Sequence, residues 1–189
     1  MMPGATTPPD REALAMIGLV LLWVGAVLFL NGLWLGGRIG DREIAVINLF
    51  SGTVGFIAAI TTAVRNPDDI NRVSFGALVL LFAFTYLWVA INRIFSFDGR
   101  GLGWFCLFVA ITAVAVGIET AIRAATTWGY WLTINWLAWA VLWFFYFLLL
   151  VPRRISLSLV AWLTILEGIF TAWLPGYLII MGHLQPVVA

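Results

Sequence analysis

This sequence has little charge. Asp, Glu, Lys and Arg make up 10% of its 189 residues, where a soluble domain carries about 25%. Every basic residue is an arginine, so no lysine is available for Schiff-base chemistry. One cysteine (Cys106) and one histidine (His183) exclude a disulfide framework and a local metal cluster. The formal net charge of +1 leaves no electrostatic footprint for a polyanion, so nucleic acid is not an expected partner. A Walker loop, a GxGxxG ahead of a helix and a Ser/His/Asp set are missing too. The chain is therefore expected to have no catalytic group, metal or cofactor, and it is not read as an enzyme.

What it has is apolar length. Hydrophobic residues are 63% of the chain. Runs 13–37, 44–64, 73–92, 101–118 and 124–152 contain no charged residue, and a sixth from 155 onward is broken only by Glu167. A helix rises about 1.5 Å per residue, so roughly 20 apolar residues cross a hydrocarbon core about 30 Å thick. The runs predict six transmembrane helices near 13–36, 44–64, 73–95, 103–123, 130–151 and 156–181. They form one domain, 13–182, between a polar N-terminal tail (1–12) and a C-terminal tail (183–189). A β-barrel would alternate apolar and polar residues along each strand, and Leu19-Val20-Leu21-Leu22-Trp23-Val24 does not. The expected class is an all-α integral membrane bundle. Asp10-Arg11-Glu12 is a poor signal-peptide n-region, because it is not positively charged overall.

Charges punctuate the short loops. Loops 1, 3 and 5 carry Arg38, Arg42, Arg93, Arg100, Arg153 and Arg154, against Arg11, Arg65, Arg72 and Arg123 on the other side, six to four. The positive-inside rule then places both termini outside an inner membrane. Six spans can also divide into two three-helix halves of inverted topology, a plan shared by transporters and channels. No clear sequence repeat links the halves.

Glu167 stands out. It lies 13 residues past Arg154, hence about 20 Å along the helix. A carboxylate at that depth costs about 2.5–3.5 kcal/mol to insert and should face a bundle interior or a wet cavity. The plainer reading is a hydrogen-bonded packing residue. Glu119, four residues before Arg123, suits an interfacial ion pair. Asn31, Asn48, Asn92 and Asn135 can bridge helices.

Tryptophans give the second signal. Trp128 and Trp131 suit an interfacial belt. Trp136, Trp139 and Trp143 continue to mid-span, and their spacing places three indoles on one helix face. They either pack against neighbours and lipid or line a narrow aromatic slot. Gly32 with Gly36, and Ser51 with Gly55, are small-residue pairs that allow close helix approach and are compatible with an oligomer. The residues alone favour a passive pathway for a neutral solute. A proton-coupled transporter using Glu167, or a membrane enzyme or assembly subunit, would be the alternatives.

Segments in all six spans resemble the AmiS/UreI family of urea and short-chain amide channels. They include Gly18-Leu19-Val20-Leu21-Leu22-Trp23-Val24-Gly25 with Asn31-Gly32, and Ala45-Val46-Ile47-Asn48-Leu49-Phe50. Phe84-Thr85-Tyr86-Leu87-Trp88, Leu107-Phe108-Val109-Ala110-Ile111, Trp136-Leu137-Ala138-Trp139 and Leu166-Glu167-Gly168 continue the match. The resemblance implies a homo-hexamer in the lipid bilayer with a pore in each protomer. It implies passive conduction of urea and small amides toward a cytoplasmic amidase or urease. It also places the aromatic constriction on Trp136, Trp139, Leu142 and Trp143 with Tyr86 opposite, the apolar wall on Ile17, Leu21, Val24 and Leu28, and the buried glutamate on Glu167. Glu167, the Tyr86 hydroxyl and the indole N–H groups are then the expected hydrogen-bond partners of the solute. Acid-gated members carry long histidine-rich loops, since imidazole titrates near pH 6.5. The loops near 66–72 and 124–129 are short and lack histidine, so the chain is more similar to the amide-uptake branch.

Overall fold

The uncharged runs fold as helices because a chain in hydrocarbon must satisfy its backbone N–H and C=O groups internally. The computed structural model describes residues 8–65 and 67–184. Residues 1–7 of the N-terminal tail, Asn66 and residues 185–189 lie outside the described residues. Five helices are continuous: α1 (Pro8–Leu35), α2 (Asp41–Arg65), α3 (Ile70–Phe95), α4 (Arg100–Arg123) and α5 (Thr127–Leu150). The sixth, α6 (Leu157–Ile180), crosses as one body with a change of winding in its middle. All six are long and apolar enough to span a bilayer, and no strand occurs among the described residues.

Polar residues end these helices by direct bonding. Asp69 accepts from the backbone N–H groups of Asn71 and Arg72, capping α3. Thr126 and Ser156 do the same for α5 and α6, through Gly129 and Leu159. At the end of α1 the Arg38 N–H reaches the Leu33 carbonyl and the Gly37 N–H reaches that of Trp34, at 2.9 and 2.8 Å. Gly37 takes the positive φ (76°) that this reversal needs. Outside the spans, Asp98 is held below the ordinary carboxylate range, first by the Arg100 backbone N–H and then by its guanidinium.

Three antiparallel pairs carry the closest packing: α1 with α6, α2 with α3, and α4 with α5. Lighter contacts of α1 with α2, α3 with α4 and α5 with α6 close the ring. The α1–α6 seam is a backbone-to-backbone approach made by glycine. A Cβ on Gly25 would stand 2.3 Å from the Trp173 nitrogen, and one on Gly176 2.5 Å from the Leu22 nitrogen. Gly32 packs against Ala161 and Ile165 of α6, and Gly55 against Ala83 of α3. Gly32 and Gly55 therefore serve seams within one protomer, whereas Gly36 is exposed and meets only its own helix.

The winding of α6 departs from a plain helix. From Gly168 to Trp173 it is π-helical, and the Leu174 N–H bonds back to the Ile169 carbonyl. Pro175 supplies the reason: it has no N–H, and in α geometry its ring would press on the carbonyl four residues earlier. A wider turn relieves that clash. The turn begins directly after Glu167.

Candidate permeation pathway

The odd-numbered helices run parallel to one another, and α3 and α5 bury Phe82, Tyr86, Trp136, Trp139 and Trp143 inside the bundle. Phe82 stands at the midpoint of α3 and Trp139 at the midpoint of α5. Two cavities meet there. The larger, about 300 Å³, extends toward the face that holds the start of α1 and the α2–α3 turn. Ile17, Leu21 and Val24 of α1, Leu78 of α3 and Trp136 of α5 form its wall, with Asn71 and Ser74 near its outer end. The smaller, about 40 Å³, extends toward the opposite face and is lined by Leu28, Asn31 and Trp34 of α1, Tyr86 of α3, and Leu142 and Trp143 of α5, among others. Phe82 and Trp139 line both. They are the septum.

The septum is a cluster of perpendicular and tilted rings. Phe82 lies 5.0 Å from Trp139 at 85°, 4.6 Å from Trp143 and 6.0 Å from Trp136. Trp136 and Trp139 meet edge to face at 5.2 Å. Offset and edge-to-face pairs of this kind add about 0.5–1.5 kcal/mol each beyond burial. The spacing along α5 brought the indoles to one face; Phe82 is what they close upon. It was not among the residues expected from the sequence, where its span is apolar almost throughout.

Threonine hydroxyls hold two of the indoles. Trp139 Nε1 donates to Thr171 Oγ1 at 2.9 Å, and Trp143 Nε1 to Thr85 Oγ1 at 3.3 Å. Each threonine in turn donates to the carbonyl four residues before it, Glu167 for Thr171 and Leu81 for Thr85. The hydroxyls of Tyr146 and Thr164 pair in the same way at 3.1 Å. This corrects an expectation: the Trp139 and Trp143 N–H groups are already bonded within the protein and are not free for a solute. The Tyr86 hydroxyl makes no hydrogen bond among the described residues and borders the smaller cavity.

Glu167 is the deep charge that the sequence singles out. It is buried, at 6% exposure, but lines neither cavity. Its backbone carbonyl is joined to Trp139 through Thr171. Its Oε2 is buried without a hydrogen-bond partner. Placement on α6 was readable from the sequence. Its surroundings were not, because they depend on how α6 packs against its neighbours.

Of the asparagines, Asn31 and Asn48 bond each other reciprocally across α1 and α2, at 3.1 and 2.6 Å. The side-chain amide nitrogens of Asn92 and Asn135 are buried and have no partner. Glu119 and Arg123 form the i,i+4 pair, and Trp128 stacks on Trp131 at 4.4 Å. No cluster of possible metal ligands occurs among the described residues.

An aromatic septum between two axial cavities, inside six apolar helices, is the geometry of a transport path. Residues 16–183 match the AmiS/UreI family of transporters. The chain belongs to the AmiS/UreI family. It is thus a multi-pass membrane protein of a channel and transporter family, and not an enzyme. It is 39% identical over 170 residues to a candidate amidate-substrate transporter of Mycolicibacterium smegmatis, covering 89% of this chain and 78% of the relative. With the acid-activated urea channel of Helicobacter pylori it shares 37% identity over 193 residues, covering 89% and 99%. The same share of this chain therefore matches a longer stretch of the urea channel, which carries segments absent here. Among solved structures it is similar to the Helicobacter pylori urea channel in its closed state. That match has a TM-score of 0.81 at 36% identity, over 88% of this chain and 98% of the other.

Proposed function

We propose that this AmiS/UreI-family chain is a passive channel for urea and short-chain aliphatic amides. The observation that carries the reading is the Phe82–Trp139 septum, with cavities on both sides and its two central indole N–H groups tied to threonines. Such a slot offers ring faces and edges rather than fixed donors. A flat, neutral amide can slide between rings, whereas a hydrated ion cannot shed its water there. An amide stripped of water without any replacement bond would pay several kcal/mol. The free Tyr86 hydroxyl supplies one such bond just beyond the septum, weakly enough to allow exit. Trp136, Trp139, Leu142, Trp143 and Tyr86 are the proposed selectivity residues, with Ile17, Leu21, Val24 and Leu28 as the apolar wall.

The reading extends to the cell. The chain would sit in the inner membrane with both termini outside, as a hexamer of independent pores, delivering its solutes to a cytoplasmic amidase or urease. Apolar side chains on the outward faces of α2 and α4, such as Ile57, Phe108 and Ile111, are exposed in the single protomer, and lipid or neighbouring copies would cover them. The segments that the acid-activated relative has beyond those of this chain, and the absence of histidine from the turns at 66–72 and 124–129, favour an ungated amide-uptake channel.

A stopped-flow shrink–swell assay on proteoliposomes tests the function. Urea and acetamide should equilibrate well above protein-free vesicles, and glycerol should not. Equal rates with and without protein for both amides would defeat the channel reading.

A further inference from the structure

Trp34 is the last α1 residue on the wall of the smaller cavity, at the face opposite the N-terminus. Its backbone is fixed in the closing turn of α1, where the Gly37 N–H meets its carbonyl. Its side chain is gripped by two further helices. The indole Nε1 donates to Asp41 Oδ1, in the first turn of α2, at 2.7 Å. The Arg93 guanidinium, from the last turn of α3, lies 5.3 Å from the ring centroid. Arg93 also reaches the other Asp41 oxygen at 3.7 Å. Indole, carboxylate and guanidinium thus form a closed triangle, and the indole is the member that borders the cavity. The buried Arg93 Nε has no hydrogen-bond partner. The ring and the carboxylate, rather than a full set of hydrogen bonds, keep this cation in place.

We propose that Trp34 sets the size limit at this mouth, with Asp41 and Arg93 as positioning residues that hold its ring across the exit. The inference rests on the channel reading above and adds a second sieve to it. The septum discriminates by flatness in mid-membrane. The clasp discriminates by bulk where the solute leaves. A ring held on both its N–H edge and its face cannot swing aside for a branched amide, whereas a ring freed from Asp41 can turn about χ1 and widen the mouth. Two of the contacts are electrostatic and partly exposed, so salt weakens the clasp.

The test compares urea with isobutyramide in proteoliposomes carrying the full-length protein. Trp34→Ala should raise the isobutyramide-to-urea permeability ratio by about threefold or more, a size appropriate to a steric sieve. Asp41→Asn and Arg93→Gln should raise it by less, and Trp34→Phe should fall between wild type and Trp34→Ala. A merely structural clasp would lower both fluxes together and leave the ratio alone. Unchanged ratios in Trp34→Ala and Asp41→Asn, with urea still conducted, overturn the proposal while sparing the channel reading. Wild-type vesicles that conduct neither amide overturn both. Asp41 is mostly exposed, so Asp41→Asn keeps the test decisive if a larger change prevents folding.

Discussion

The indole of Trp139 donates its N–H to the hydroxyl of Thr171, 2.9 Å away, so that the central ring of the pathway is positioned from α6 rather than from its own helix. Thr171 lies in the π turn that follows Glu167, and its proton goes to the Glu167 carbonyl at 2.6 Å. The aromatic slot and the backbone at the deep glutamate are thereby parts of one structure.

Trp139→Ala opens the septum. It removes the ring that separates the two cavities, so glycerol should begin to pass and the urea-to-glycerol selectivity should collapse. Truncating a buried tryptophan also costs about 3–5 kcal/mol of stability, so the variant is to be compared at a temperature where its helix content equals the wild type. Unchanged urea, acetamide and glycerol permeabilities would remove Trp139 from the selectivity residues.

Thr171→Val tests the tether with little change in volume. It leaves the indole N–H without its partner, at a cost of about 1–3 kcal/mol, and allows the ring to turn. The expected result is a lower melting temperature in detergent together with altered urea-to-acetamide selectivity. Thr171→Ser, which keeps the hydroxyl, should restore both.

Passive conduction predicts that urea flux ignores an imposed pH gradient. Because Glu167 lies off both cavities, Glu167→Gln should conduct with the same indifference. A flux that follows the gradient in wild type, and loses that dependence in Glu167→Gln, would instead favour a proton-coupled carrier. Tracer uptake with inside-acid and inside-alkaline vesicles makes the measurement.

Urea flux should vary by less than about twofold between pH 5 and 8, the interval in which imidazole would switch a gate. The α2–α3 and α4–α5 turns hold no histidine. Asp98, whose carboxyl Arg100 keeps below its ordinary range, contributes stability that is present above the unfolded value near 3.9 and is lost only as pH falls below about that point. It stays ionised throughout the tested interval. A steep acid activation in the stopped-flow assay would contradict the ungated reading.

Gly25→Val should uncouple α1 from α6. The first added carbon would fall 2.3 Å from the Trp173 backbone nitrogen, an approach no side-chain rotation can relieve. Overpacking of this kind costs about 1–3 kcal/mol or more. Loss of the folded species in size-exclusion chromatography is expected, whereas the same change at the open Gly40 should be tolerated.

Much of this was legible in the chain because the bilayer restricts the possibilities. Charge is so costly in hydrocarbon that its absence over long runs marks the spans, and the arginines and aspartates mark their ends. The three-and-four spacing of Trp136, Trp139 and Trp143 likewise determined that three indoles share a face of α5, since helical periodicity is local. Gly18, Gly25 and Gly32, seven apart on α1, were an available signal for the α1–α6 seam that the GxxxG pattern at Gly32 and Gly36 only grazed.

What the indoles face was another matter. In a span where nearly every residue is apolar, no contrast in hydropathy separates Phe82 on the axis from Phe84 toward lipid, and only the packing of α3 against α5 distinguishes them. Glu167 was bound to be deep, but which groups surround it depended on how α6 packs against its neighbours. Residue order alone sets which residues enter the membrane and how each helix distributes them around its circumference. The tertiary structure alone decided which of those faces meet across the axis, because that depends on contacts between helices whose apolar surfaces, in lipid, are chemically alike.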